Sequence, residues 1–170
     1  MDLRNSDRRE FRMDLERLSG YRFACQASED GAPHGVPFYS DEPDPVGAAS
    51  APATPALLGA AVGHCLSASL LESLRHAHLD VDSMTAEVVS VVTANHEGLP
   101  RIDHVDVVIR PVLARFAPRA HRCEEIFERH CTVTSSVRQG VDIRVRVDWS
   151  VSGGSSASTA ATQAGSPVSG

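Results

Sequence analysis

Between Pro55 and Leu71 the chain is apolar almost without a break, interrupted only by His64, Ser67 and Ser69. Thr54-Pro55 reads as an N-cap followed by proline at the first helical position. The pattern carries a helix from about Pro55 to His76. A helix that is apolar nearly all round has no face to offer water, so the fold must cover most of it. The apolar stretch is shorter than the ~20 residues of a bilayer span, which favours a core helix over a membrane segment. Cys65 sits in its middle.

The flanking segments supply candidate cover. Tyr21–Ala27 alternates by two, Ser28–Gly31 has turn chemistry, and Val36–Tyr39 can return as the second strand of a hairpin. Ser40–Pro55 reads as an irregular loop rich in Pro, Ala and Asp. Val81–Thr93 and Arg101–Val112 form a second hairpin around Asn95–Gly98, with Val105, Val107 and Ile109 on one face. Pro118–His130 predicts a helix whose Cys123, Ile126, Phe127 and His130 share a face, and Cys131–Val137 continues it or starts another. Val141–Trp149 alternates without a fault and predicts a closing strand. Leu3, Phe11, Leu15 and Leu18 give the charged first twenty residues a weak helical period. The expected order, β-β-α-β-β-α-β, is an α+β fold with antiparallel sheets. The expected organisation is a charged segment over 1–20, one domain over 21–150, and a disordered Ser/Gly-rich tail over 151–170.

Hydrophobic residues make up 42% of the 170 but aromatics only 5%, so the core is aliphatic. Net charge is −6 and every basic residue is arginine, scattered rather than striped; this argues against nucleic-acid binding. The N-terminus has no apolar signal core, and the expected location is the cytoplasm. The four cysteines, Cys25, Cys65, Cys123 and Cys131, include no CxxC pair. In a reducing compartment they are free or catalytic rather than a structural disulfide set. Cys25 and Cys123 lie on apolar faces and suit core packing. No His or Cys spacing matches a zinc set, and His76-Ala77-His78 reads as an exposed helix end.

Cys65 alone reads either as a small core hydrophobe or as a reactive thiol. His64, its neighbour, points about 100° away around the helix and reads as a hydrogen-bonded core histidine. His130-Cys131-Thr132-Val133-Thr134 lies at a helix junction and reads either as packing and cap residues or, if Cys131 starts a helical turn whose free N–H groups favour its thiolate, as a reactive thiol. If the two cysteines meet, they can attack and resolve: one becomes a sulfenic acid and the other condenses with it to a disulfide.

Asp41-Glu42-Pro43, Gly47 and the Pro55–Cys65 helix start resemble the OsmC/Ohr family pattern of an Asp-Glu-Pro loop leading into an apolar helix with a cysteine. Cys131-Thr132-Val133-Thr134 resembles the family's second cysteine motif, with Thr132 where proline is usual. The likeness covers about Tyr21 to Trp149. It implies an α+β OsmC-like fold with a buried central cysteine-bearing helix, in an intertwined homodimer with active sites near the interface. It implies reduction of organic hydroperoxides, Cys65 attacking and Cys131 resolving, with recycling by a dithiol donor such as a lipoylated protein. No metal or organic cofactor is implied.

Two departures bear on activity. The family carries a glutamate early in the helix, where this chain has Ala56, and Glu42 in the preceding loop is the candidate substitute. It also carries an activating arginine on the N-terminal hairpin; Arg22 is the candidate, away from the Glu29–Gly31 turn. Without that pair, Cys65 in an apolar helix has a raised pKa and low reactivity. The alternative is a non-peroxidatic OsmC-fold stress or binding protein with vestigial cysteines.

Overall fold

The computed structural model describes residues 9–115 and 118–147. They fall into two compact units, Met1–Gln139 and Gly140–Gly170, each a body of its own. The first runs β1 (Phe11–Ser19), β2 (Arg22–Glu29), β3 (Ala32–Ser40), α1 (Thr54–His76), β4 (Val81–Ala94), β5 (Pro100–Leu113), α2 (Ala120–Ile126), a 3₁₀ turn (Phe127–His130) and α3 (Thr132–Gln139). β1–β2–β3 form one antiparallel sheet and β4–β5 another. The class is α+β with antiparallel sheets, as the sequence predicts.

β1 corrects the helical reading of the N-terminal segment. Phe11, Met13 and Leu15 alternate with Arg12, Asp14 and Glu16, so the same residues also carry period two. Pairing with β2 decides between the two periods, setting Leu15 opposite Cys25 and Arg17 opposite Phe23. The β2–β3 turn falls on Asp30-Gly31, both at positive φ (50° and 83°), as an Asp-Gly hairpin turn requires.

α1 is longer than its apolar stretch: its 23 residues are long and apolar enough to cross a bilayer by length and composition alone. Its N-cap is Ala53 rather than Thr54. The all-round burial expected for it is not what forms. Gly59, Val62, Gly63, Leu66, Leu70 and Leu74 make one buried stripe, while His64 and Leu71 are exposed and Cys65 is half-buried. α1 packs mainly on β4 on one side and on the 3₁₀ turn, α2 and α3 on another. Leu79, Phe127 and Cys131 close the buried cluster, and Val105, Val107 and Ile109 pack on it as one face of β5.

The helix expected over Pro118–His130 divides. At Ile126 the backbone turns to φ −118°, and the next four residues tighten into the 3₁₀ turn. That breaks the 3.6-residue period, so Cys123 and Phe127 are buried while Ile126 and His130 are exposed.

The strand expected over Val141–Trp149 does not form within residues 141–147, where Ile143 and Val145 are about four-fifths exposed (81% and 82%). Alternation states a preference; a strand also needs a neighbour for its N–H and C=O groups, and none is paired with it here. Asp148, Trp149 and the Ser/Gly-rich tail lie outside the described residues.

Candidate functional site

Cys131 ends the 3₁₀ turn in an extended conformation (φ −82°, ψ 104°), directly before α3. It is fully buried. It occupies an N-cap position: its carbonyl accepts from the Ser135 N–H at 3.1 Å, and its sulfur accepts from the Thr134 N–H at 3.4 Å. The thiol donates to Thr134 Oγ1 at 3.0 Å. A sulfur thus stands where a Ser, Thr or Asp oxygen usually caps a helix.

Cys65 reaches the same point from α1. Its thiol lies close enough to Cys131 and to the backbone N–H groups of Val133 and Thr134 for each to act on its pKa. Burial pushes its pKa up, and the hydrogen bond and charge of Cys131 add to this; the two N–H groups pull the other way without cancelling it. At neutral pH the protonated thiol dominates. The free N–H groups expected at the start of α3 are present, and they serve Cys65 as well as Cys131.

Arg22 and Glu42 lie elsewhere. Arg22 opens β2 immediately after the Gly20–Tyr21 turn. It does sit at a hairpin turn, one hidden from the sequence reading because β1 was read as helix. Its guanidinium lies 4.4 Å over the Tyr39 ring, with a buried Nε that has no partner. Glu42 accepts a 3.5 Å hydrogen bond from Thr54 Oγ1 at the start of α1. Neither is among the groups acting on the Cys65 thiol. The sheet β1–β2–β3 makes its extensive contacts within itself, so it does not carry Arg22 onto α1. Ala56 is exposed, and supplies no carboxylate.

The residue of the loop that the sequence reading missed is Asp41. It is 3% exposed and accepts from the Glu42 N–H at 2.9 Å, the Ser50 N–H at 3.1 Å and Ser50 Oγ at 2.7 Å. The Ser50 bonds come first in holding its pKa below the usual range. A Cβ on Gly47 would lie 2.2 Å from the Glu42 carbonyl oxygen, so only glycine fits there. Asp41 and Gly47 therefore shape the loop that delivers α1. His64 is exposed rather than in the core. Cys25 is buried with its sulfur 3.6 Å from Ser40 Oγ, and Cys123 donates to the Ser73 carbonyl at 3.5 Å; both serve packing.

On the far side of Thr134 lies a cavity of about 550 Å³, which neither cysteine lines. Leu58, Val62, Leu66 and Val107 give it an apolar wall, and Thr134 borders it. Its rim carries Arg138, paired with Glu128 at 2.8 Å, and His104, 2.6 Å from Asp103. The Asp103 hydrogen bond raises the His104 pKa. Among the described residues, no three His, Cys, Asp or Glu side chains gather as a metal would require.

Solved structures share this architecture. An OsmC-like protein of unknown function from Vibrio cholerae superposes with a TM-score of 0.58 at 14% identity, over 76% of this chain and 92% of that one. A putative osmotic stress induced and detoxification response protein from Psychrobacter arcticus gives 0.57 at 20% identity, over 72% and 85%. An organic hydroperoxide resistance protein OsmC from Legionella pneumophila gives 0.55 at 12% identity, over 82% and 95%. No curated protein matches the sequence. The family model for OsmC-like proteins matches residues 47–146, a span that holds the Gly47 loop, both cysteines and the hairpin between them. With more than half of its 170 residues matched and its fold shared, the chain belongs to the OsmC-like protein family.

Proposed function

We propose that the protein reduces organic hydroperoxides through a two-cysteine cycle. The Cys65 thiolate attacks the terminal peroxide oxygen; the O–O bond breaks, the alkoxide leaves and takes up a proton as the alcohol, and Cys65 becomes a sulfenic acid. Cys131 then attacks the Cys65 sulfur, an S–S bond forms, and the sulfenic oxygen leaves as water carrying the Cys131 proton. A dithiol reductant, of the kind a lipoylated protein presents, takes the disulfide back to two thiols. The reaction belongs to the cytoplasm, where the four free cysteines stay reduced.

The observation that carries this reading is the placement of Cys131 at the start of α3, on a helix packed against the Cys65-bearing α1, close enough to act on the Cys65 thiol. The apolar wall of the cavity that Thr134 borders suits a hydrocarbon substituent. Some relatives of the same fold are named as organic hydroperoxide resistance proteins. We further propose a homodimer. Phe11, Leu15 and Val36 on the first sheet and Val89, Val108 and Val112 on the second are exposed, which is more apolar surface than a monomer usually leaves open.

A second reading, a binding protein with idle cysteines, is favoured by the raised pKa of Cys65 and the separation of Arg22 from it. Treating the reduced protein with a slight excess of cumene hydroperoxide and mapping its disulfides separates the two. Rapid formation of a Cys65–Cys131 bond supports the peroxidase; thiols that stay reduced support the binding protein.

A further inference from the structure

We infer that Thr134 is the positioning residue for closure of the Cys65–Cys131 disulfide, a role that rests on the two-cysteine reading and extends it. Thr134 is 6% exposed, and few polar side chains in the described residues are so deeply buried. Its hydroxyl and its backbone N–H both reach the Cys131 sulfur. Oγ1 lies 3.0 Å from Cys131 Sγ, and its backbone nitrogen lies 3.4 Å from the same sulfur. The same N–H also acts on the Cys65 thiol, pulling its pKa down.

This grip decides where the Cys131 sulfur can point. A free cysteine side chain chooses among staggered rotamers about χ1. Two bonds from one residue, itself stiffened by its β-branch and by α3, select the rotamer that meets Cys65. The hydroxyl also takes the thiol proton in a hydrogen bond, so the sulfur's lone pair is left for the partner sulfur. When Cys131 attacks the Cys65 sulfenic acid, its S–H bond breaks and the proton passes through Thr134 Oγ1. The hydroxyl gives up its own proton to the departing hydroxide, and water leaves. The hydroxyl ends as it began.

The test uses two variants. Thr134→Val keeps the shape, the β-branch and the backbone N–H but removes the hydroxyl; Thr134→Ser keeps the hydroxyl. Disulfide closure is first followed with diamide, a diazene that takes two electrons and two protons from a thiol pair and needs no peroxide chemistry. The valine variant closes the Cys65–Cys131 bond about tenfold more slowly than wild type, the worth of one hydrogen bond; the serine variant stays within about twofold. With cumene hydroperoxide, the valine variant loses its Cys65 thiol at the wild-type rate but accumulates sulfinic acid there, because resolution lags. If cumene hydroperoxide leaves wild-type thiols untouched while diamide reproduces the valine–serine difference, the peroxidase reading falls and the role of Thr134 stands. Equal diamide rates for wild type and valine, or equal slowing of valine and serine, would overturn the inference. Should the valine variant fail to fold by circular dichroism, Thr134→Ala is read in its place by the same criteria.

Discussion

Replacing Gly63 by alanine asks whether α1 is seated on β4 as closely as the structure has it. In a helix interior, glycine to alanine ordinarily stabilises by about 1 kcal/mol. Here the added Cβ would lie 2.4 Å from Val88 Cγ2, where ordinary contact begins at 3.4 Å. Something must therefore give by about 1 Å. Val88 is β-branched and sits mid-strand opposite Val107, so its χ1 has little freedom. The helix must lift or the strand bend, and overpacking of this kind costs about 1–3 kcal/mol. The balance is a net loss of about 0–2 kcal/mol. Urea unfolding followed by circular dichroism reads it as a lowered midpoint at unchanged slope. Val88→Ala removes the obstacle. Added to Val88→Ala, the glycine replacement is expected to stabilise by about 1 kcal/mol, so the two changes are coupled rather than additive. Cys65 lies two residues beyond Gly63, and a lifted helix also slows diamide closure of the Cys65–Cys131 bond in the single variant and not in the double one. A Gly63→Ala protein about 1 kcal/mol more stable than wild type would refute the close seating and the geometry built on it.

Three further outcomes follow from the same contacts. Cys131→Ala removes an interaction that helps raise the Cys65 pKa, so the pH midpoint for iodoacetamide alkylation of Cys65 moves down toward the ordinary thiol range. Asp41 has its folded pKa depressed by Ser50, so its stabilisation is present above the ordinary carboxylate pKa and fades as pH falls through the folded value. Asp41→Asn should therefore flatten the acid limb of a plot of urea midpoint against pH, and an unchanged limb would count against this role. Leu74, 2% exposed at the foot of the α1 stripe, should cost about 2–5 kcal/mol when cut to alanine, read as a loss of urea midpoint.

Much of the fold was legible because local signals and tertiary contacts agreed. Pro55, the long apolar run and the basic residues at its end mark α1 to within a residue or two. Asp30-Gly31 marks a hairpin, and the alternation of Val105, Val107 and Ile109 marks the core face of β5. The failures share one cause. Phe11 and Leu15 satisfy both a helical and a strand period, and only the pairing with β2 chooses between them. Val141–Val147 alternates without fault and still lacks a partner strand. α1 is apolar all round, yet this chain covers one stripe of it. In each case the sequence states what a segment could pair with or bury, and the answer depends on a neighbour that no local window contains.

The site divides in the same way. Cys65 and Cys131 stand out by residue type, but 66 positions separate them, and nothing in that spacing says that they meet. The meeting depends on where α3 begins. Because the 3₁₀ turn ends at His130, Cys131 falls at the N-cap and its sulfur turns back onto the first N–H groups of the helix. A turn that ended one residue later would rotate the sulfur away and leave Cys65 without Val133 and Thr134. Cys-x-x-Thr was therefore the available signal for Thr134, since the residue three beyond an N-cap is the one whose N–H the cap receives. Arg22 is the converse case. The hairpin turn that presents it was hidden with β1. Even once that turn is found, its guanidinium stacks on Tyr39 and keeps a buried Nε without a partner. A buried donor without a partner is costly, and a carboxylate brought against the half-buried Arg22 by dimer formation would lower that cost. The proposed homodimer thus makes a specific demand: disrupting it, for instance by Phe11→Asp on exposed β1, should change the environment of Arg22 as well as the oligomeric state. Sedimentation velocity reads the oligomeric state, and tyrosine fluorescence in a Tyr21→Phe, Trp149→Phe background reads the Tyr39 ring under Arg22. A monomeric variant with unaltered fluorescence would separate Arg22 from the interface.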